Sequence, residues 1–441
     1  MGVLQIGTLA LYVLAIVAIA LWTRRQETAK DFLIGNRSIG TLATTASVAA
    51  VAGGLVLGGD TSLGFEFGLG ALSLVAGSAS GVALLGIFSG RIKAIADKHG
   101  FLTLPDYLFT VFDIQTGYVG ALNIVVVFLF ILAAQFIVCG QLLAGLTPLN
   151  YPTAVIGTGL FTLIYVLLGG YKAVVKTDLL QFAVMVFVFL VLVPVNIDFN
   201  SLNLEITRDG LSPLAMLSLY LSGATGLFVG ADVWQRVYSA RSLAVARRSF
   251  FLAATIWLLL GTSLVFLGIA AHGVSGTTAD TVLVNGLYQI LPAQFAGVAT
   301  VGLLAALMST IDTEVFLLAS SVAKDFVARK RELNSEGMAR TVRVAMVGVT
   351  LPAMAMAIFW SDLLGVLFLM FSFAVALFPV IFWSLIRPVP SNTAFWSIII
   401  GLISILPSYV FGWVTPDTAP LIVLAAGTLT LLVGAMLTKR T

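Results

Sequence analysis

Residues 298–323 read VATVGLLAALMSTIDTEVFLLASSVA, one long apolar helix whose middle carries Ser309, Thr310, Asp312, Thr313 and Glu314. At 3.6 residues per turn Ser309, Asp312 and Thr313 share a face. A carboxylate at membrane depth is costly unless it faces a bundle interior or a wet cavity, so the cluster points to a site for a small cation.

The rest of the chain has the same apolar character. Of 441 residues, 59% are hydrophobic and 10% charged, which excludes an ordinary soluble domain and implies an all-α polytopic membrane protein. A single cysteine, Cys139, rules out a disulfide within the chain, and two histidines, His99 and His272, leave no zinc or haem constellation. The basic residues are dispersed among short loops, which argues against nucleic acid as a partner. The apolar stretch 3–22 has no charge before it and Arg24-Arg25 after it, the pattern of an uncleaved first span.

About thirteen spans are expected, each long enough to cross a hydrocarbon core of about 30 Å. Their approximate ranges are 3–22, 40–69, 71–90, 119–145, 151–169, 178–197, 211–233, 250–271, 284–323, 341–360, 363–385, 394–413 and 419–437. With the amino terminus outside and the carboxyl terminus in the cytoplasm, only Arg208 of 23 Lys and Arg falls outside, in keeping with the positive-inside rule. This topology puts every base at a membrane edge, Arg236 included, with Asp232 as its interfacial partner.

Setting aside the first span and the last two leaves ten, an arrangement of five plus five with opposite orientations. The expected organisation is one transmembrane transporter domain over 1–441. It has a peripheral helix at 3–22, a first inverted repeat at 40–197, a second at 211–385, and two peripheral helices at 394–437. The first core helix carries Gly53-Gly54 and Gly58-Gly59, and the sixth carries Ser222-Gly223-Ala224-Thr225-Gly226. Both are expected to be broken, because unwound backbone at membrane depth is tolerated where it lines a cavity. The alternative is that these glycines let helices pack closely.

Four segments carry a resemblance: DFLIGNRSIG at 31–40, LTLPDYL at 102–108, LLGGYKAVVKTDLLQ at 167–181 and AALMSTIDTEVFLLASSVAKD at 305–325. With GADVWQR at 230–236 and SARS at 239–242, the chain resembles the sodium/solute symporter family of sodium-coupled sugar, proline, sialic acid and choline carriers. The resemblance implies a leucine-transporter-like core and alternating access, with sodium as the co-transported ion. It also implies a sodium site from the carbonyls of Val48, Val51 and Ala306 and the hydroxyls of Ser309 and Thr310. The chemistry agrees, since a hard cation prefers oxygen ligands. Ser309 and Thr310 could equally bond back to carbonyls one turn earlier.

Some family members add a second site, for which the matching residues are Asp178, Ser309, Asp312 and Thr313. Here Asp312 is a carboxylate where the best-defined second sites have serine, so a second cation or a proton could be bound. The other reading of Asp178 is an interfacial residue paired with Lys172 or Lys176. Asp60 and Glu66 are expected in a solvent-accessible vestibule. By position, a solute should touch Gly53, Gly54, Leu55, Ser78, Gln135, Ser222 and Thr225. Leu55 stands where the family's sugar carrier places a glutamine, which weakens a sugar reading.

The expected function is sodium-driven uptake of a small organic solute across a plasma (inner) membrane. A proton-coupled carrier, or a solute sensor working with a signalling partner, is the alternative. The last span stops four residues before Thr441, so an output domain is not expected. A proton-translocating respiratory subunit would be expected to need buried lysine or histidine relays. An enzyme would need a nucleophile, base and orienting group together, and none is legible.

Overall fold

A computed structural model describes residues 3–23, 33–168, 171–204 and 211–438. Arg24, Arg25, Lys30, Arg208, Lys439 and Arg440, used above for topology, lie outside the described residues, as do the side chains of 51–56 and of Lys172. The described residues are all helical apart from turns and one isolated parallel bridge between Ile39 and Ala240.

The helices are α1 (Val3–Thr23), α2 (Thr41–Phe67), α3 (Leu72–His99), α4 (Leu104–Val111), α5 (Ile114–Leu146), α6 (Tyr151–Leu168) and α7 (Tyr171–Met185). A π-helical stretch, Val186–Leu192, and a last turn, Val193–Asn196, extend α7. There follow α8 (Pro213–Phe228), α9 (Ala231–Ser239), α10 (Leu243–Ala271), α11 (Val282–Ile290), α12 (Ala296–Ser321) and α13 (Ser335–Phe359). The chain closes with α14 (Leu363–Val375), α15 (Phe378–Ile386), α16 (Ser391–Ile403), α17 (Ile405–Phe411) and α18 (Ala419–Thr438). Among the described residues ten helical stretches are long and apolar enough to cross a membrane, and Gly7–Ile19, Thr41–Ala50 and Tyr151–Leu167 are shorter apolar helices.

Helix starts follow local chemistry. Ser212, Ser242, Asn334 and Asp362 each accept a hydrogen bond from the N–H three residues on, which satisfies a donor that has no intrahelical partner. The expected span 284–323 divides instead into α11 and α12, because Pro292 stands between them without an N–H to continue a helix.

The structure corrects the expected break in the first core helix and moves the break in the sixth. Helical backbone runs through Gly53-Gly54 and Gly58-Gly59 within α2. A Cβ on Gly58 would lie 2.7 Å from Val138 Cγ2, and one on Gly59 would lie 3.1 Å from Leu367 Cδ1. These two glycines therefore serve close packing. Residues 222–226 are likewise helical, and the interruption comes later, at Val229-Gly230 between α8 and α9. A further interruption, at Ala376-Leu377 between α14 and α15, was not anticipated.

Two helix pairs in extensive contact are α2 with α10 and α3 with α8. Both are glycine-mediated. A Cβ on Gly77 would fall 2.0 Å from Tyr220 O, one on Gly81 2.4 Å from Ala224 O, and one on Gly223 2.7 Å from Ser78 Oγ. A Cβ on Gly268 would fall 2.1 Å from Thr61 O. Backbones this close leave no room for a side chain, the usual device where helices meet without a hydrophobic driving force.

Asp106 of α4 holds the Lys324 ammonium and receives Arg329 Nη2 at 3.0 Å, tying α4 to the segment that follows α12. Its other oxygen accepts the Leu102 and Thr103 N–H groups at 2.8 and 3.1 Å. Burial pushes the Asp106 carboxyl up, but Lys324 and these N–H donors outweigh it and hold it below the usual carboxylate range.

Gly77→Val should block α3–α8 docking and shift the protein from a monodisperse to an aggregated peak on size exclusion in detergent, whereas Gly90→Val, with open space around it, should not. Asp106→Asn should lower stability at pH 7 by about 1–3 kcal/mol, read from unfolding in detergent. Because the native carboxyl is depressed, the wild type keeps this contribution above about pH 3.9. It loses it as pH falls from there through the lower native value.

Candidate ion and solute site

The interruption after α8 shapes the site. Val229 and Gly230 leave helical geometry, Gly230 is extended, and α9 restarts with Trp234 N–H bonded to Gly230 O at 3.0 Å. The Trp234 indole N–H donates to Phe228 O at 2.7 Å, satisfying a carbonyl at the interruption. Asp232 sits in the first turn of α9, where a helix N-terminus favours a carboxylate.

Arg236 is 1% exposed, buried inside the protein and not solvated at its surface. Its Nε donates to Ser47 Oγ at 2.9 Å, Nη2 to Thr313 Oγ1 at 3.2 Å and to Asp178 Oδ2 at 3.4 Å, and Nη1 to the Asp232 carbonyl at 3.1 Å. Ser47 Oγ donates to the same Asp178 oxygen at 2.5 Å. Asp178 is thus paired with Arg236, and Lys176 instead lies 4.0 Å over the Trp22 ring. Thr177 Oγ1, next in the chain, donates to Asp312 Oδ2 at 3.5 Å. Asp178, Asp312 and Thr313 are therefore brought together, with a guanidinium between Asp178 and Thr313.

Ser309 lies on the side of α12 that faces α2. Its hydroxyl is 2.7 Å from Ala306 O and 3.1 Å from Ala50 O, and Thr310 Oγ1 is 3.4 Å from Ala306 O. Bonding back along α12 is therefore present, together with a link across to α2. On α2 the link falls on Ala50, beside the expected Val51, while Val48 O receives the Trp257 indole N–H at 3.4 Å.

A cavity of about 50 Å³ adjoins this oxygen set. Thr310 and Glu314 border it from α12, Val229, Gly230 and Asp232 from the α8–α9 interruption, and Trp257 from α10. Gln135, Ser78, Ser222 and Thr225 are not among its lining residues. Ser78 packs against Gly223, and Thr225 bonds to Leu221 O within its own helix at 2.7 Å. Gly53, Gly54 and Leu55 fall in the stretch whose side chains lie outside those described. Sequence reasoning passed over Trp257 and kept Asp232 at the interface; the signal available was Asp232 four residues before Arg236, both inside one apolar segment. Asp60, expected in a vestibule, is 2% exposed and packs against Gly261.

The model of the sodium:solute symporter family matches residues 32–401. The chain belongs to that family. Transport across a membrane with sodium as the co-transported ion is accordingly its class of activity. Its sequence is 26% identical to the sodium/proline symporter of Salmonella typhimurium and 25% identical to that of Escherichia coli, in each case over 92% of this chain and 88% of the relative. Its fold is similar to that of a sodium-coupled sialic acid symporter in a substrate-bound outward-open state, with a TM-score of 0.83 at 16% identity, covering 99% of this chain and 98% of the other. A nucleobase-cation-symport-1 family transporter superposes with a TM-score of 0.56 at 16% identity, over 93% and 95% of the two chains.

Removing one partner of the Arg236–Asp178 pair strands a buried charge. Arg236→Gln and Asp178→Asn should each cost about 3–5 kcal/mol, and the double variant clearly less than their sum. Unfolding midpoints of the four proteins in detergent measure this coupling.

Proposed function

We propose that the protein carries a small organic solute inward by alternating access, each cycle driven by sodium bound between α2 and α12. The observation that carries this reading is the convergence of Ala306 O, Ser309 Oγ, Thr310 Oγ1 and Ala50 O beside the cavity at the α8–α9 interruption. Sodium takes oxygen ligands, and hydroxyls that now bond to carbonyls can turn their lone pairs to an ion held among the same oxygens. The proposed set is Ala306, Ser309 and Thr310 with α2 carbonyls from Val48 to Val51. The solute is proposed to lie in the adjoining cavity.

The proposed architecture is one domain of thirteen spans with repeats over 40–197 and 211–385, the amino terminus outside and the carboxyl terminus in the cytoplasm. The pairing of α2 with α10 and of α3 with α8 supports the repeats. The first helix of one five meets the second of the other, and the reverse, as an inverted two-fold requires. At the candidate second site formed by Asp178, Ser309, Asp312 and Thr313, Arg236 already supplies a positive charge, so the proposed coupling is one sodium per solute.

In proteoliposomes, uptake of the transported solute should require an inward sodium gradient, with a sodium-to-solute ratio of one. Ser309→Ala/Thr310→Ala should raise the half-saturating sodium concentration about 10- to 100-fold, at about 1.4 kcal/mol for each factor of ten. Uptake driven equally by a proton gradient, and unchanged in that double variant, would overturn the sodium site.

A further inference from the structure

We infer that Asn123 of α5 is a positioning residue for the solute site, its side-chain amide setting the α14–α15 interruption and with it the cavity wall that α14 provides. This rests on the reading that the cavity is the solute site.

Pro379 creates the need. It has no N–H to offer Val375 O, and its ring crowds that carbonyl, so α14 stops at Val375 and α15 begins at Phe378. The last carbonyls of α14 then rely on long, tightened bonds, Ala376 N–H to Phe373 O and Leu377 N–H to Ala374 O, both at 3.4 Å. Asn123 Nδ2 donates to Phe373 O at 3.0 Å and completes its shell. Asn123 is 2% exposed, and its own Oδ1 accepts no hydrogen bond from any described residue. An unmatched buried acceptor is a cost that a leucine of similar size would avoid, so the amide N–H is what this position supplies. One turn earlier on the same face of α5, a Cβ on Gly120 would lie 3.7 Å from Leu377 Cδ2. α5 therefore meets the interruption at two successive turns.

The two interruptions beside the cavity are satisfied from different places. At α8–α9 the freed Phe228 O is held by Trp234 of the very next helix, so that break keeps its shape by itself. At α14–α15 the donor comes from 250 positions away. Its helix is also cavity wall, with Ile124, Phe128 and Ile131 lining the space from α5 and Phe371, Ala374 and Leu377 lining it from α14 and the interruption. Asn123 thus fixes one wall against the other. Against α2, α14 rests through Leu363 on Gly58 and Leu367 on Gly59, apolar contacts that hold it without orienting it. The bond to Phe373 O supplies the direction.

Thiol labelling of the full-length protein in detergent reads this wall. Cys139 is buried, so the unaltered chain gives the background. N-ethylmaleimide is the probe, and Ala374→Cys supplies the reporter thiol. Asn123→Leu should speed labelling of the reporter about tenfold, the scale of one buried hydrogen bond, and Asn123→Gln, which keeps an amide donor, should restore most of the slow rate. Binding of labelled sodium should stay within about twofold in both, because the ion's ligands are left in place. Unchanged labelling in Asn123→Leu would overturn the inference. So would faster labelling accompanied by lost sodium binding, the mark of a residue that holds the whole bundle. Should Asn123→Leu not fold, Asn123→Ala is measured in its place, and failure of both to fold would assign Asn123 to the fold alone and overturn the role. Sodium-driven uptake from a labelled pool of sugars, amino acids and carboxylates that persists in Ala374→Trp would overturn the cavity as the solute site and this role with it, whereas unchanged labelling overturns the role and leaves that reading standing.

Discussion

A guanidinium inside a membrane protein has to have its acceptors brought to it, and Arg236 draws them from three other helices. Ser47 comes from α2, Asp178 from α7 and Thr313 from α12, while Arg236 itself stands on α9. A bare charge at this depth would cost several kcal/mol, so the position of these helices is tied to that one side chain. The Ser309 contact to α2 lies one helical turn from Ser47, at Ala50. The candidate ion site and the ion pair therefore share two helices, and a shift of α2 relative to α12 disturbs both.

Glycine explains why the helices can come so close, and why the sequence misled. A helix that carries Ser222-Gly223-Ala224-Thr225-Gly226 has poor intrinsic propensity, and unwinding is the natural local reading. The neighbour decides otherwise. With α3 lying against Gly223 at contact distance, helical backbone is the conformation that packs, and the interruption passes to Val229-Gly230. Propensity is a local quantity, whereas close approach depends on a partner 145 positions away, Ser78 against Gly223. The same reasoning separates the glycines of α2 from an interruption.

Much of the rest was legible because the membrane makes it so. Apolar length marked most helices, and the hydroxyl and carboxylate cluster from Ser309 to Glu314 marked the helix that carries the candidate site, since polar groups at that depth are rarely accidental. The chain motifs brought Asp178 to the same region as Asp312 and Thr313, as the side chains show. The position of Arg236 was not legible. Charge asymmetry between loops assigns a base near a span end to the interface, and it has no means of detecting that α9, Arg236 included, is buried along its whole length. Asp232 was misplaced with it, since it too is buried, in the first turn of α9.

The interruptions also bear on how an ion and a solute could be coupled. Thr310 belongs both to the oxygen set at Ala306 and to the wall of the cavity, and Ala374 of α14 and Leu377 of the α14–α15 interruption border the same space. On the proposed reading, an ion that fixes the Thr310 hydroxyl also fixes one wall of the solute site, and a solute that fixes the wall favours the ion to the same degree. Linkage makes that coupling reciprocal whatever its size. Trp257 both borders the cavity and bonds to Val48 O, one of the proposed α2 carbonyls, so a second contact of that coupling runs from the aromatic wall to the ion's own ligand set. On that reading the two contacts make ion and solute binding cooperative in one conformation, which favours their crossing together.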